Sequence, residues 1–157
     1  MYIGAGIIIH NSKKQVLLVC DARSGRWGFP KGHPEVCDKK QAINTAVREC
    51  FEETGMRVVH DYIIESANPK RIGKRLYFTG IMLNEGFRNH NLDRNEIQDV
   101  RWWSLEDLIA NESILNSDLR AWLNKKKRTG IRSPTLGRSP VFGSTPSVSA
   151  PAASCSI

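Results

Sequence analysis

No apolar run in this 157-residue chain approaches the roughly 20 residues that a membrane-spanning helix needs, so no membrane partner is expected. The opening stretch, MYIGAGIIIHNSKK, has no basic segment ahead of its apolar residues. That argues against a secretory signal and for a buried strand. Cysteine is sparse. Four stand at positions 20, 37, 50 and 155, with no CxxC pair and no histidine at zinc-finger spacing. They read as reduced thiols in a cytoplasmic protein without structural zinc. Acidic residues are missing from Lys125 to the end, where Lys125, Lys126, Lys127, Arg128, Arg132 and Arg138 stand unopposed. Setting those six aside from the 23 Lys and Arg leaves the rest nearly balanced against 16 acids. The net charge of +7 therefore sits in the C-terminal stretch, and the remainder is close to neutral.

What is present fits one domain, with 40% hydrophobic and 25% charged residues. The final stretch, TGIRSPTLGRSPVFGSTPSVSAPAASCSI, is rich in Ser, Pro, Thr and Gly and cannot bury enough apolar surface to offset its ordering entropy. The expected organisation is a folded domain over 1–128 and a disordered basic tail over 129–157. IGAGIIIH and QVLLVCDA flank the turn signal NSKK and read as a hairpin. WGFPKG reads as a short extended piece broken by Pro30. RVVHDYIIESA and KRLYFTGIML read as strands joined by NPKRIG, and IQDVRWWSL as another. Helices are expected over 39–54, over LEDLIA with Ser104 as its cap, and over 112–127. Strands outnumber helices, which gives an α+β fold with a mixed sheet.

The segment RECFEETG (residues 48–55) packs three glutamates into less than two helical turns. Asp38 and Gln41 fit a capping box, and Gly55 fits the position just past the end. Ile43, Ala46, Val47 and Cys50 make the apolar stripe, while Glu49, Glu52 and Glu53 share a neighbouring face. Arg48 can bridge to Glu52 across one turn. Such a cluster is either a solvated acidic face or a site for a hard divalent cation, whose binding would offset the repulsion.

Arg48 to Met56 matches the second half of the Nudix box, GX5EX7REUXEEXGU, without a gap, and Phe29-Pro30-Lys31-Gly32 supplies its start. AGIIIHNSKKQVLLV is similar to the family's opening hairpin and EIQDVRWWSLEDL to its closing strand and helix. The resemblance covers about residues 3 to 110 and implies the Nudix fold, a mixed β-sheet packed between helices as an α/β/α sandwich. One departure stands out: fifteen residues separate Gly32 from Arg48, where the family has thirteen. Counted from Gly32, the first box glutamate falls on Asp38; counted from Arg48, it falls on Lys40. Asp38 could supply that acid or only cap the helix, and Glu35 is a second substitute.

The resemblance implies hydrolysis of a diphosphate linkage by water, with Mg²⁺ or Mn²⁺ held by Glu49, Glu52, Glu53 and the Gly32 carbonyl. Glu52 or Glu53 would also act on the water, Arg48 would orient a glutamate, and Glu96, ahead of the closing strand, would serve as a general base or further ligand. WGFPKG and ECFEETG are similar to the mRNA-decapping branch. PKGHPE is similar to the diadenosine-tetraphosphate hydrolases. Lys31, His33, Arg75 and Tyr77 are candidate substrate contacts, the last as a base-stacking ring or else a core tyrosine. Lys70, Arg71 and the run Lys125, Lys126, Lys127 and Arg128 are candidate RNA contacts, acting on the phosphate backbone without sequence preference and with no DNA sequence specificity. The expected substrate is an mRNA 5′ end. Diadenosine tetraphosphate or another small nucleotide polyphosphate, a diphosphoinositol polyphosphate, and a non-catalytic binding module are the alternatives.

Overall fold

Six residues at the middle of the molecule, AGIIIH, form strand β1 (Ala5–His10), in which five are buried. A nearly continuous apolar run suits a strand covered on both faces. Its side chains alternate between two cores, as a period of two requires. Ile7 and Ile9 enter one core with Phe78, Ala46 and Cys50, and Ile8 enters the other with Tyr77, Leu119 and Leu123. The computed structural model describes residues 2–84 and 94–130.

The other elements assemble around β1. They are β2 (Val16–Asp21), β3 (Trp27–Gly28), β4 (Lys31–Gly32), α1 (Ala42–Thr54), β5 (Tyr62–Ile64), β6 (Lys70–Ile72), β7 (Arg75–Met82), β8 (Ile97–Trp103), α2 (Leu105–Ala110) and α3 (Ser117–Gly130). The strand order is β3-β2-β1-β7-β5, with β4 also on β1, β6 on β7 and β8 on β2. β1 and β7 run parallel, and the other named strand pairs are antiparallel. α1 covers one face, while α2 and α3 cover the other. This is the expected α/β/α sandwich. No described helix is long and apolar enough to cross a membrane.

The β1–β2 hairpin forms as expected, with the Asn11 side-chain oxygen accepting the N–H groups of Lys13 and Gln15. Three other expectations need correction. The strand expected over 57–67 shrinks to Tyr62–Ile64, and NPKRIG holds β6 instead of a plain connection. The helix expected from 112 starts at 117, because Leu115 is fully buried against β3 and the Asn116 side chain caps Leu119 N–H at 2.9 Å. α1 starts at Ala42, not 39: Lys39 and Lys40 both have positive φ (55° and 60°), which a right-handed helix excludes. Ser104 caps α2 as expected, accepting Asp107 N–H at 3.0 Å. The expected tail lies outside the described residues from 131 onward, and Thr129 and Gly130 complete α3.

Candidate active site

α1 is aimed by its apolar stripe. Ala46 and Cys50 are fully buried on the sheet, Ile43 and Val47 pack beside them, and Gly55 ends the helix at φ 81° with its N–H on the Phe51 carbonyl. Burying that stripe leaves Arg48, Glu49, Glu52 and Glu53 facing β4 and the loop after it.

Arg48 organises this face. Its Nε and Nη2 donate to the two oxygens of Asp38 at 3.0 and 2.9 Å. Nη1 donates to Glu49 at 3.0 Å and Glu52 at 3.1 Å, and Nη2 also reaches the His33 carbonyl at 2.8 Å. Asp38 is 2% exposed and also accepts from the Thr45 hydroxyl (2.7 Å) and the Glu35 N–H (2.8 Å). The Arg48 hydrogen bonds outweigh burial and hold the Asp38 carboxyl well below the ordinary carboxylate range. Asp38 therefore does not cap α1. It lies outside the lining of the cavity described next, and both its oxygens anchor Arg48. The acid of that loop that does line the cavity is Glu35, 3.6 Å from Arg48 Nη1.

Glu49, Glu52, Glu53 and Glu96 border one cavity of about 650 Å³. Lys31, His33, Arg75, Arg23 and Arg26 also line it, which sets acids against cations around one space. The Glu49 carboxylate lies on the Gly32 backbone, so a Cβ there would force the Glu49 side chain to move. Glu53 Oε1 accepts the Lys31 N–H at 3.3 Å. Burial pushes the Glu53 carboxyl up to about 8; Lys31 opposes the rise, while Glu49 and Glu96 add to it. Burial also raises Glu49, against the pull of Arg48.

The NUDIX domain model matches residues 2–125. The chain belongs to the NUDIX family. It is 29% identical over 115 residues to human nucleoside diphosphate-linked moiety X motif 6, an alignment covering 69% of this chain and 36% of that protein. The chain thus spans about a third of the length of that curated relative. Among solved structures, a Caenorhabditis elegans Ap4A hydrolase binary complex has a TM-score of 0.63 at 21% identity, covering 82% of this chain and 98% of that one. A NUDIX hydrolase from Nitrosomonas europaea has a TM-score of 0.62 at 21% identity, covering 82% and 89%. The NUDIX domain of Shewanella oneidensis NrtR with ADP ribose has a TM-score of 0.57 at 17% identity, covering 83% and 88%. These likenesses establish the shared fold.

The candidate donors expected from the motif, Glu49, Glu52, Glu53 and the Gly32 carbonyl, offer the oxygen chemistry of a hard divalent cation. Among the described residues, no three His, Cys, Asp or Glu side chains form a group that could hold a metal ion. Arg48 engages one oxygen each of Glu49 and Glu52. An ion such as Mg²⁺ keeps several waters and typically takes one or two carboxylates plus substrate phosphates, so the residues present fit it without a closed protein cage.

The remaining candidates divide. Lys31, His33, Arg75 and Glu96 all border the NUDIX cavity, His33 with Nδ1 3.2 Å from the Ile3 carbonyl. Tyr77 is corrected. Its ring is 1% exposed and packed edge-on to Phe29, so it is a core residue and cannot stack on a base. Its hydroxyl donates to Asp118 at 2.6 Å, and burial followed by that carboxylate pushes its pKa far up. Asp118 also pairs with Arg75 at 3.2 Å. Reading the sequence missed Asp118, Arg23 and Arg26 as cavity residues. The arginines of DARSGRWG, directly ahead of the motif, were the available signal. For Asp118 the signal was its place in Asn116-Ser117-Asp118, a helix-start pattern. Lys127 is also set apart from the other basic candidates, because its Nζ pairs with Glu112 at 2.6 Å.

Proposed function

We propose that this NUDIX protein is a metal-dependent hydrolase of phosphoanhydride bonds in nucleoside diphosphate-linked substrates, and that its substrate is the 5′ end of an RNA. The observation that carries the chemistry is the meeting of Glu49, Glu52, Glu53 and Glu96 with Lys31, Arg23, Arg26 and Arg75 around one cavity. A bound divalent ion would neutralise charge developing on phosphoryl oxygens and acidify a water. Glu49, Glu52, Glu53 and the Gly32 carbonyl are the candidate groups, of which one or two carboxylates would hold it beside the substrate phosphates. Lys31 and Arg75 receive the phosphate oxygens. Glu53 or Glu96 takes the proton from the attacking water. Arg48, itself fixed by Asp38, keeps Glu49 and Glu52 in place.

The RNA end is supported by the WGFPKG and ECFEETG resemblance and by the basic surface beside the cavity. Diadenosine tetraphosphate is the second reading, supported by His33 on the cavity wall and by the fold likeness to the C. elegans Ap4A hydrolase. The deciding experiment incubates the protein with Mg²⁺ or Mn²⁺ and cap-labelled RNA, free cap analogue, diadenosine tetraphosphate and a diphosphoinositol polyphosphate. Release of a nucleoside diphosphate from RNA but not from the free analogue is expected. Preference for the dinucleotide would replace the RNA reading. Metal binding with no turnover on any substrate would point to a binding module.

A further inference from the structure

Lys70 and Arg71 on β6 and Lys125, Lys126 and Arg128 on α3 line a groove of about 400 Å³, with Lys70 on the strand face that packs toward α3. No acidic residue lines it. Among the described residues, none of these five cations makes an ion pair, whereas Arg48, Arg75, Arg101 and Lys127 do. Lys126 Nζ lies 5.4 Å from the centre of the Trp122 ring, which forms an apolar part of the wall. His10 registers the field. Burial drives it below its ordinary value, and Lys126 and Lys70 add to that against Glu65. Like charges held together repel, and an anion along the groove would relieve them.

The groove adjoins the carboxylate cavity. Gly73 lines the groove, and a Cβ there would come within 2.9 Å of Asp118 Oδ1, on the cavity wall. Asp118 and Lys125 lie on the same helix, about 10 Å apart along its axis. The Arg75–Asp118 pair is thus the boundary between the two spaces. We infer that the groove between β6 and α3 holds the backbone of a single-stranded RNA whose 5′ end reaches the cavity. The direction of the strand rests on the RNA-end reading above; its binding is tested separately. The contact is by phosphate, so it carries no sequence preference and depends steeply on salt.

The test uses fluorescence anisotropy with a labelled 5′-hydroxyl RNA 12-mer, which has no phosphoanhydride for the cavity. In Lys70→Gln/Lys125→Gln/Arg128→Gln, binding should weaken at least tenfold at low salt. The slope of log K against log salt should fall by about 2, as expected for three lost contacts to a single strand. An unchanged melting temperature and unchanged turnover of a small nucleotide substrate would show that the fold and cavity survive. With capped RNA, the triple variant should raise KM and leave kcat. An unchanged salt slope would overturn the groove. Equal binding of inorganic polyphosphate of matched length, with the same loss in the variant, would overturn its assignment to RNA. An unchanged KM with weakened binding would overturn its continuity with the cavity. RNA held in the groove without hydrolysis of any RNA end would instead overturn the RNA-end reading, leaving the binding inference standing.

Discussion

Arg48 and the cations of α3 are both concentrated positive charge on a helix, with opposite fates. Arg48 is 16% exposed and shares its donors among Asp38, Glu49, Glu52 and the His33 carbonyl. Lys125, Lys126 and Arg128 stand beside Lys70 and Arg71 with no acid lining their groove. The first kind of charge is spent inside the molecule, where it sets the position of other side chains. The second is left over, and its use lies in what it can attract. Net charge alone hides this distinction, since Arg48 and Arg128 count the same.

The sharpest way to break the comparison is at Glu53, on the acidic face beside the two glutamates that Arg48 holds. Glu53→Gln should lower turnover by about 10² to 10⁴-fold, the scale of a lost acid–base group, without changing the melting temperature. Near-normal turnover on the true substrate would show that the carboxylates are not the reactive set. Next comes the anchor. Asp38→Asn leaves Arg48 partly enclosed without its main partner, and should cost about 3 kcal/mol in denaturant unfolding at neutral pH. The sign with pH is fixed. A carboxyl depressed in the folded state stabilises above its unfolded value, about 3.9, and that stability is lost as pH falls through the folded value. The gap between Asp38→Asn and wild type should therefore be full at pH 7 and close in strong acid. A gap that stays constant from pH 7 to 2 would remove the ion-pair account. The smallest effect is expected at Lys127, whose pair with Glu112 is about one-third exposed. Lys127→Gln should change stability by no more than about 0.5 kcal/mol and leave the RNA salt slope alone. A slope change as large as that from Arg128→Gln would erase the division between spent and free cations.

Much of this was legible in the sequence where local rules decide. Asn11 in the β1–β2 turn, Ser104 before α2 and Gly55 after α1 each act through a hydrogen bond or a backbone angle within a few residues. The clustering of Glu49, Glu52 and Glu53 followed from helical periodicity. Features decided by distant partners were harder to see. Asp38 has the composition of a helix cap, but Arg48, ten residues on, pulls it inward and the left-handed Lys39 and Lys40 delay the helix. Tyr77 shares a strand face with Arg75, and that face turns out to be covered by α3, whose Asp118 engages both. Lys127 differs from its neighbours because Glu112 is within reach. In each case the deciding atom belongs to another element, and sequence spacing carries no information about it.

The central parallel pairing also constrains the order in which the molecule can be made. Ala5 is matched to Leu76 and His10 to Ile81, so β1 waits for nearly the last residue of β7 before this pairing can form. Contacts so far apart along the chain close slowly, because their loop entropy is lost before packing returns anything. α1 rests on β1 and β7 together. Its acidic face is therefore fully seated only once β7 has joined the β1, β2 and β4 part of the sheet that precedes α1 in the chain.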